Sequence, residues 1–369
     1  MKRTLLLLGL CLILAIAASA QKLPKPTQLA AILSPEQQKA LSIGTGLHDA
    51  KKFKEAIAIY DAILKESPDA TVALYEKALS QYASGDLKAA MDTAYAGAKY
   101  KCEELAMFYS IIANCLDDVG KSNEAIGIYR QAESIFKGDV GMKPHLSSVY
   151  FNLGITYMRL KKPAEAKTEF KNSIEANPLY PSPHYMLSRV FASTNFKFPS
   201  VLAASRFVPM GFNTERGHDA ARVITAAFRP PTKDAKGNIT INLDINSLSL
   251  GSSKEEGDFG SLEVLAGISG VSKTDKEDQR TTSEVFADSI RTFTDFLIKE
   301  KKLRKTFVGT YYIPYFEEMN RLGYIEAFAY VVSALNGDRT AEAWLSANKE
   351  KVNEYIAWGR SYTPSEKKK

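Results

Sequence analysis

A chain of 369 residues is long enough for two domains or one extended array, and 45% hydrophobic with 24% charged residues excludes disorder throughout. The formal charge of +6 is spread along the chain and forms no basic stripe for nucleic acid; the terminal Glu366-Lys367-Lys368-Lys369 is expected to be a solvated tail over 364–369. The chain opens with Lys2 and Arg3, an apolar run from Leu5 to about Ala18 and the small-residue site Ala18-Ser19-Ala20. This pattern predicts a secretory signal peptide over 1–20, cleaved before Gln21 and followed by an N-terminal linker over 21–34. Its apolar core is shorter than the roughly 20 residues a spanning helix needs, which sets a retained anchor second to cleavage. Leu8-Gly9-Leu10 before Cys11 puts a bulky leucine where a lipoprotein signal carries a small residue. Cleavage removes two cations and no acid, so the mature charge falls by two, to +4. The remaining Cys102 and Cys115 lie thirteen positions apart on or beside one expected helix, a separation of roughly 20 Å at helical rise, so two free thiols are expected.

The first helix announces itself with Ser34 as N-cap, Pro35 in the first turn and Gln37 completing a capping box. From there the sequence repeats itself. A small residue recurs at Gly44, Ala78, Ala113 and Gly154, and twelve positions after each stands Ala56, Ala90, Ala125 and Ala166. Glycine inside a helix costs about 1 kcal/mol relative to alanine, so Gly154 among the bulky residues of Tyr150–Leu160 asks for a packing reason. A helix hairpin supplies one: the small residue of helix A lets helix B approach, with the alanine of helix B facing back. Turns fall at Lys51, Gly85, Gly120 and Lys161. Helix B then carries Tyr60, Ala94, Tyr129 or Phe170, and Pro68 and Pro178 end their helices.

This pattern resembles the tetratricopeptide repeat (TPR), a 34-residue helix-turn-helix unit. The repeats lie near 37–70, 71–104, 106–139 and 147–180. The fourth matches best through Tyr150, Leu153, Gly154, Tyr157, Ala166, Phe170 and Pro178; the second departs from the pattern at Gln81 and Ala94, where aromatics are usual. An insertion over 137–146 separates repeats three and four, and a divergent fifth hairpin follows with Leu187, Ser188, Phe191 and Ala204 at its contacts. The resemblance covers 35–212. The fold class expected is all-α: a TPR helix-hairpin superhelix, then an irregular segment with one short strand or hairpin, then a C-terminal helical region.

Residues 213–258 hold a helix and a segment rich in Pro, Gly and Ser, within which Ile239, Ile241, Leu243 and Ile245 alternate with polar residues as a strand does. This 239–245 strand either closes a hairpin or packs as an edge against the helices within the chain, or adds to a second chain, a route to oligomers. Over 259–363, Phe286, Ile290, Phe293 and Leu297 define one helical stripe and Val308, Tyr312, Tyr315 and Met319 another. Gly323 and Gly337 bracket a helix carrying Ile325, Phe328, Val332 and Leu335, and a last helix is expected from about Thr340 through Ile356. This region reads either as further hairpins or as a separate cap.

Catalytic and cofactor signatures are weak. The histidines His48, His145, His184 and His218 stand in four segments without a metal-binding spacing, so no metal and no cofactor is expected. Gly120-Lys121-Ser122 imitates a phosphate loop, but Cys115 stands where the earlier glycine belongs. Glu317, Glu318 and Glu326 near tyrosines are expected on a solvated face. In the TPR family the inner face of the superhelix is lined by helix A at positions two, five, nine, twelve and thirteen. The resemblance therefore implies a protein or peptide partner bound by Tyr75, Leu79, Tyr82, Asn114, Phe151, Ile155, Met158 and Arg159, and a non-catalytic scaffold; the signal-peptide pattern adds export to the periplasm or beyond. The alternative is an envelope enzyme, or a protein accessory to one, with its site in the C-terminal helical region.

Overall fold

A computed structural model describes residues 22–137, 141, 143–229, 232–233, 238–240, 256–268 and 279–364. Its contacts divide the chain into two units, 1–132 and 133–369.

In the first unit, strand β1 (Gln28–Leu29) precedes the helices α1 (Pro35–Asp49), α2 (Phe53–Glu66), α3 (Thr71–Ala83) and α4 (Leu87–Gly97). Strand β2 (Tyr100–Lys101) leads into α5 (Leu105–Asp118) and α6 (Ser122–Phe136), within which the division falls. The expected capping box forms: Ser34 Oγ accepts from the Gln37 amide while the Gln37 side chain accepts from Ser34. Residues 22–34 are packed along the array, which their sequence did not signal. Leu23 is buried and its amide donates to Gln131 Oε1, Tyr109 Oη donates to the Pro24 carbonyl at 3.4 Å, the Ala31 amide donates to Asp69 O, and β1 pairs in parallel with β2.

In the second unit, α7 (Lys143–Arg159) and α8 (Pro163–Ala176) form the fourth hairpin, α9 (Pro181–Ser193) and α10 (Lys197–Phe207) the fifth, and α11 (Glu215–Ala227) follows. Part of the expected 137–146 insertion is therefore helix, since α7 starts at Lys143 and runs 17 residues. Strand β3 (Thr232–Lys233) pairs antiparallel with β4 (Ile239–Thr240), so the described beginning of the 239–245 segment closes a hairpin within the chain; residues 241–245 lie outside the described ones. The signal-peptide residues and the 365–369 part of the tail also lie outside them.

Then come α12 (Gly260–Ile268), α13 (Thr282–Lys299), α14 (Phe307–Tyr311), α15 (Ile313–Arg321), α16 (Ile325–Leu335), α17 (Arg339–Ala347) and α18 (Lys349–Ser361). Two expectations need correction here. Val308, Tyr312, Tyr315 and Met319 are all buried, but the stripe spans two helices with Tyr312 at the junction, because Pro314 removes an amide donor and breaks the helix there. The last helix is likewise two, interrupted at Asn348, whose Nδ2 donates to the Trp344 carbonyl.

The five repeat hairpins share one turn closure, which Gly323 and Gly337 also adopt in the C-terminal helices. Lys51, Gly85, Gly120, Lys161 and Asn195 all have positive φ, and each stands seven positions after the small residue of its helix A, with Ser188 filling that role in the fifth hairpin. In each, the next amide reaches back to the carbonyl five residues before it: Lys52 to Leu47, Asp86 to Gln81, Lys121 to Leu116, Lys162 to Tyr157 and Phe196 to Phe191. This left-handed closure satisfies the carbonyls a helix end exposes, free of strain at glycine and at about 1 kcal/mol where lysine takes the same conformation. The spacing of twelve survives in the fifth hairpin too, where Ser200 Oγ donates to the Ser188 carbonyl at 2.9 Å.

The reason for the helix-A glycines differs from the one the sequence suggested. A Cβ on Gly154 would lie 2.6 Å from the ring of Phe170, and one on Gly44 would lie 2.5 Å from the ring of Tyr60. The neighbour that demands glycine is thus the aromatic residue of helix B, one turn beyond Ala166 or Ala56. The second repeat, lacking that aromatic, solves its packing otherwise: Gln81 is buried and its Oε1 accepts from Thr93 Oγ1 at 2.8 Å, while Gly97 leaves room for Phe108.

The core of the second unit runs from Ala166 to Ile356, so the fourth and fifth hairpins share it with the C-terminal helices. Polar groups fix that union. Arg206 of α10, 2% exposed, donates to the carbonyls of Gly359 at 2.6 Å and Tyr362 at 2.8 Å and lies over the rings of Tyr315 and Tyr362. Glu256, fully buried, takes Lys167 Nζ at 2.9 Å and Lys171 Nζ at 2.7 Å, and Glu263 of α12 takes Lys197 at 2.7 Å. A buried charge is tolerated only when paired in this way.

Candidate partner-binding surface

The eight residues implied by the repeat positions fall in both units. In the first unit, Tyr75, Leu79 and Tyr82 lie on α3 and Asn114 on α5, all four partly exposed. Tyr75 meets Phe108 edge-on with ring centroids 6.2 Å apart, and burial, with Glu76 and Glu104 nearby, raises its hydroxyl pKa. Tyr82 Oη donates to Asp118 Oδ2 at 2.5 Å. Asn114 Oδ1 accepts from Tyr129 Oη at 2.7 Å, so its amide group also ties helix A to helix B. In the second unit, Phe151, Ile155 and Met158 of α7 are partly exposed and Arg159 is exposed. Phe151 packs against Phe170 and against Tyr180, with centroids 5.9 and 5.2 Å apart, so one edge of the ring serves the repeat stack.

The repeat positions pointed to apolar and aromatic groups and missed the charge around them. Glu76 is partly exposed beside Tyr75; burial raises its carboxyl pKa, with His48 opposing and Asp49 and Glu104 adding to the rise. His48 Nδ1 lies 2.8 Å from Ser80 Oγ. The first unit thus presents tyrosines with carboxylates among them. Asp117 is an exception: it is buried, and its carboxylate accepts from Ser122 Oγ at the start of α6. The structural positions behave as a set: Gly44, Ala56, Ala78, Ala90, Ala113, Ala125, Gly154 and Ala166 are all buried.

Cys102 and Cys115 are free thiols, and burial pushes both up to about 12, which leaves little thiolate for chemistry. Glu317, Glu318 and Glu326 each pair with a cation, Arg304, Arg321 and Lys351. Among the described residues, no three His, Cys, Asp or Glu side chains converge as metal ligands, and no helix is long and apolar enough to cross a membrane.

Two family models match the chain, both described as tetratricopeptide repeat, one over residues 42–104 and one over 147–178. The chain carries tetratricopeptide repeats. The matched segments hold the small residues Gly44, Ala78 and Gly154 with their partners Ala56, Ala90 and Ala166, while repeats three and five stand on the shared turn closure and the spacing of twelve. A comparison with curated proteins found no match. Among solved structures, the TPR chain is similar to pilF of Pseudomonas aeruginosa, at 18% identity over 52% of this chain and 87% of that one, TM-score 0.40. It is similar to a TPR protein of Thermus thermophilus, TTC0263, at 15% identity over 51% and 99%, TM-score 0.42. A third is PilW, described as a widely conserved type IV pilus biogenesis factor, at 10% identity over 74% and 99%, TM-score 0.39. Likeness at these identities and scores says nothing about the partner of this chain.

Proposed function

We propose that this TPR protein is a non-catalytic scaffold, exported to the cell envelope, whose helix-A surface holds a protein or peptide partner. Export rests on the basic start, apolar run and small-residue site of residues 1–20. Binding rests on one observation above the others: Tyr75, Leu79 and Tyr82 keep part of their surface exposed along one helix that is otherwise built into the repeat stack. Repeat arrays bury the residues that join neighbours, and large amphipathic side chains left partly open on helix A are what an interface uses as anchors. The carboxylates of Asp49, Glu76 and Asp118 beside them favour a partner segment that sets a lysine or arginine next to an apolar or aromatic residue.

Crosslinking of the mature chain in its native envelope, followed by identification and titration of the captured segment, tests this reading. Glu76→Gln is expected to weaken that segment's binding about threefold to tenfold at low salt and to flatten its salt dependence. Unchanged affinity and an unchanged salt slope would remove the carboxylates from the interface. An accumulating envelope substrate in a strain lacking the protein, with no captured partner, would favour an enzyme over a scaffold.

A further inference from the structure

Apart from the helix-A surface, the second unit has a half-open cavity of about 750 Å³ between α11, α13 and the end of α16. That volume lies within the range that small-molecule sites occupy, roughly 300–1,000 Å³. Among the described residues its walls are mainly apolar, with Ala226, Phe228, Val285 and Phe286 contributing carbon surface.

The polar groups of the lining decide what could fill it, because most are already engaged. Ser289 Oγ donates to the Val285 carbonyl, Thr225 Oγ1 to Ala221 O, and Asn336 Nδ2 to Val332 O. Asp338 caps α17 through the amides of Thr340 and Ala341 and accepts from Ser283 Oγ. Arg222 pairs with Asp219. Three groups remain among the described residues: the exposed Arg229, which makes no ion pair there, the hydroxyl of the exposed Thr282, and the hydroxyl of Ser333, a residue 6% exposed. A peptide threaded here would find few partners for its own amides and carbonyls, and unpaired backbone groups are costly. An apolar body with a single anionic head meets no such difficulty.

We propose that this cavity is a binding site for an amphipathic carboxylate, an acyl or aryl acid whose apolar body lies against Phe228, Val285 and Phe286 and whose carboxylate pairs with Arg229. The planar guanidinium takes a carboxylate through two parallel hydrogen bonds, which gives preference over a neutral or cationic amphiphile of the same length. The site is separate from the helix-A surface, so it stands or falls independently of the scaffold reading.

Titration calorimetry of the full mature chain with decanoate, decanol and decyltrimethylammonium, each kept below its aggregation threshold, tests the proposal. The expected result is saturable one-to-one binding of decanoate, with the other two at least about tenfold weaker. Arg229→Gln removes a side chain exposed to solvent and is expected to weaken decanoate about tenfold or more while leaving decanol within about twofold. Ala226→Trp, at an exposed lining position, fills the cavity and is expected to abolish binding of all three. Circular dichroism and thermal unfolding establish that each variant is folded. Several results would each overturn the site: no saturable decanoate binding to the folded chain, equal affinity in Arg229→Gln, or intact binding in Ala226→Trp. A peptide with a free C-terminal carboxylate displacing decanoate more strongly than any acyl acid would overturn the ligand class.

Discussion

Phe170→Ala is expected to lower the unfolding free energy of the second unit by about 3–5 kcal/mol, the usual cost of emptying a fully buried phenylalanine site. The more telling measurement adds Gly154→Ala. In the presence of Phe170 the new methyl would lie 2.6 Å from the ring, closer than packed carbon atoms come, so ring or helix must shift. Overpacking of that kind costs about 1–3 kcal/mol, against roughly 1 kcal/mol gained from replacing a helical glycine. With Phe170 shortened to alanine the clash disappears and only the gain remains. Gly154→Ala is therefore expected to change sign, neutral to destabilising beside Phe170 and stabilising by about 0.5–1 kcal/mol beside Ala at 170. The second repeat already carries the alanine pair, Ala78 and Ala94, both fully buried. Denaturant melts of the four chains measure the coupling; additivity within about 0.3 kcal/mol would contradict the aromatic explanation of the glycine.

Acid is expected to weaken the second unit through His184. This residue of α9 is buried, with Nδ1 3.1 Å from Tyr312 Oη and Nε2 3.0 Å from the Pro178 carbonyl. Burial above all, with the cation of Arg206 adding to it, lowers the imidazole from 6.5 to about 3. Once unfolded, the same imidazole takes up a proton below about 6.5, so the unfolded chain binds more protons than the folded one between those values. Its stabilising contribution is whole above 6.5 and declines by about 1.4 kcal/mol for each pH unit on the way to 3. In His184→Gln, which keeps a polar side chain of similar reach without the titration, that slope is expected to fall by one proton. Stability measured from pH 7 to pH 4 checks this; identical slopes in both chains would show that His184 is already solvated in the fold.

The hairpins were legible because each is a local device repeated at fixed spacing. Small residue, turn seven positions on and alanine five further on are all set by contacts within about 30 residues, and repetition separates them from chance. The glycine at 154 shows the limit of that reading: position revealed that something approached, but only packing identified Phe170 rather than Ala166 as the neighbour. Ser188 and Ser200 kept the same spacing with a hydroxyl hydrogen bond in place of the small apolar pair, a substitution that a search for Ala and Gly passes over. Pro314 and Asn348 were visible breakers, yet the periodic stripes on either side continued in phase and hid the breaks. What lay beyond the sequence were the long-range polar ties. Glu256 reaches α8 across 85 positions and Arg206 reaches Gly359 across 153, and neither pairing leaves a periodic trace.

The same division applies to the candidate surface. The repeat register located Tyr75, Tyr82, Phe151 and Met158 on helices A, because register depends on the local pattern alone. It could not tell that Asn114 also holds Tyr129, that Phe151 shares its ring with Tyr180, or that carboxylates gather around Tyr75. Those are contacts between helices, within a repeat and between repeats.

On the reading proposed above, partly exposed side chains of helix A hold the partner. The most direct measurement is the affinity of the crosslinked partner segment for the mature chain carrying Tyr82→Ala with Phe151→Ala, set against a control carrying Lys54→Ala with Glu165→Ala on exposed positions of helices B. A loss of about tenfold or more is expected in the first chain, the scale of an interface anchor, and a change within about twofold in the control. Equal affinity in the two folded chains would contradict it.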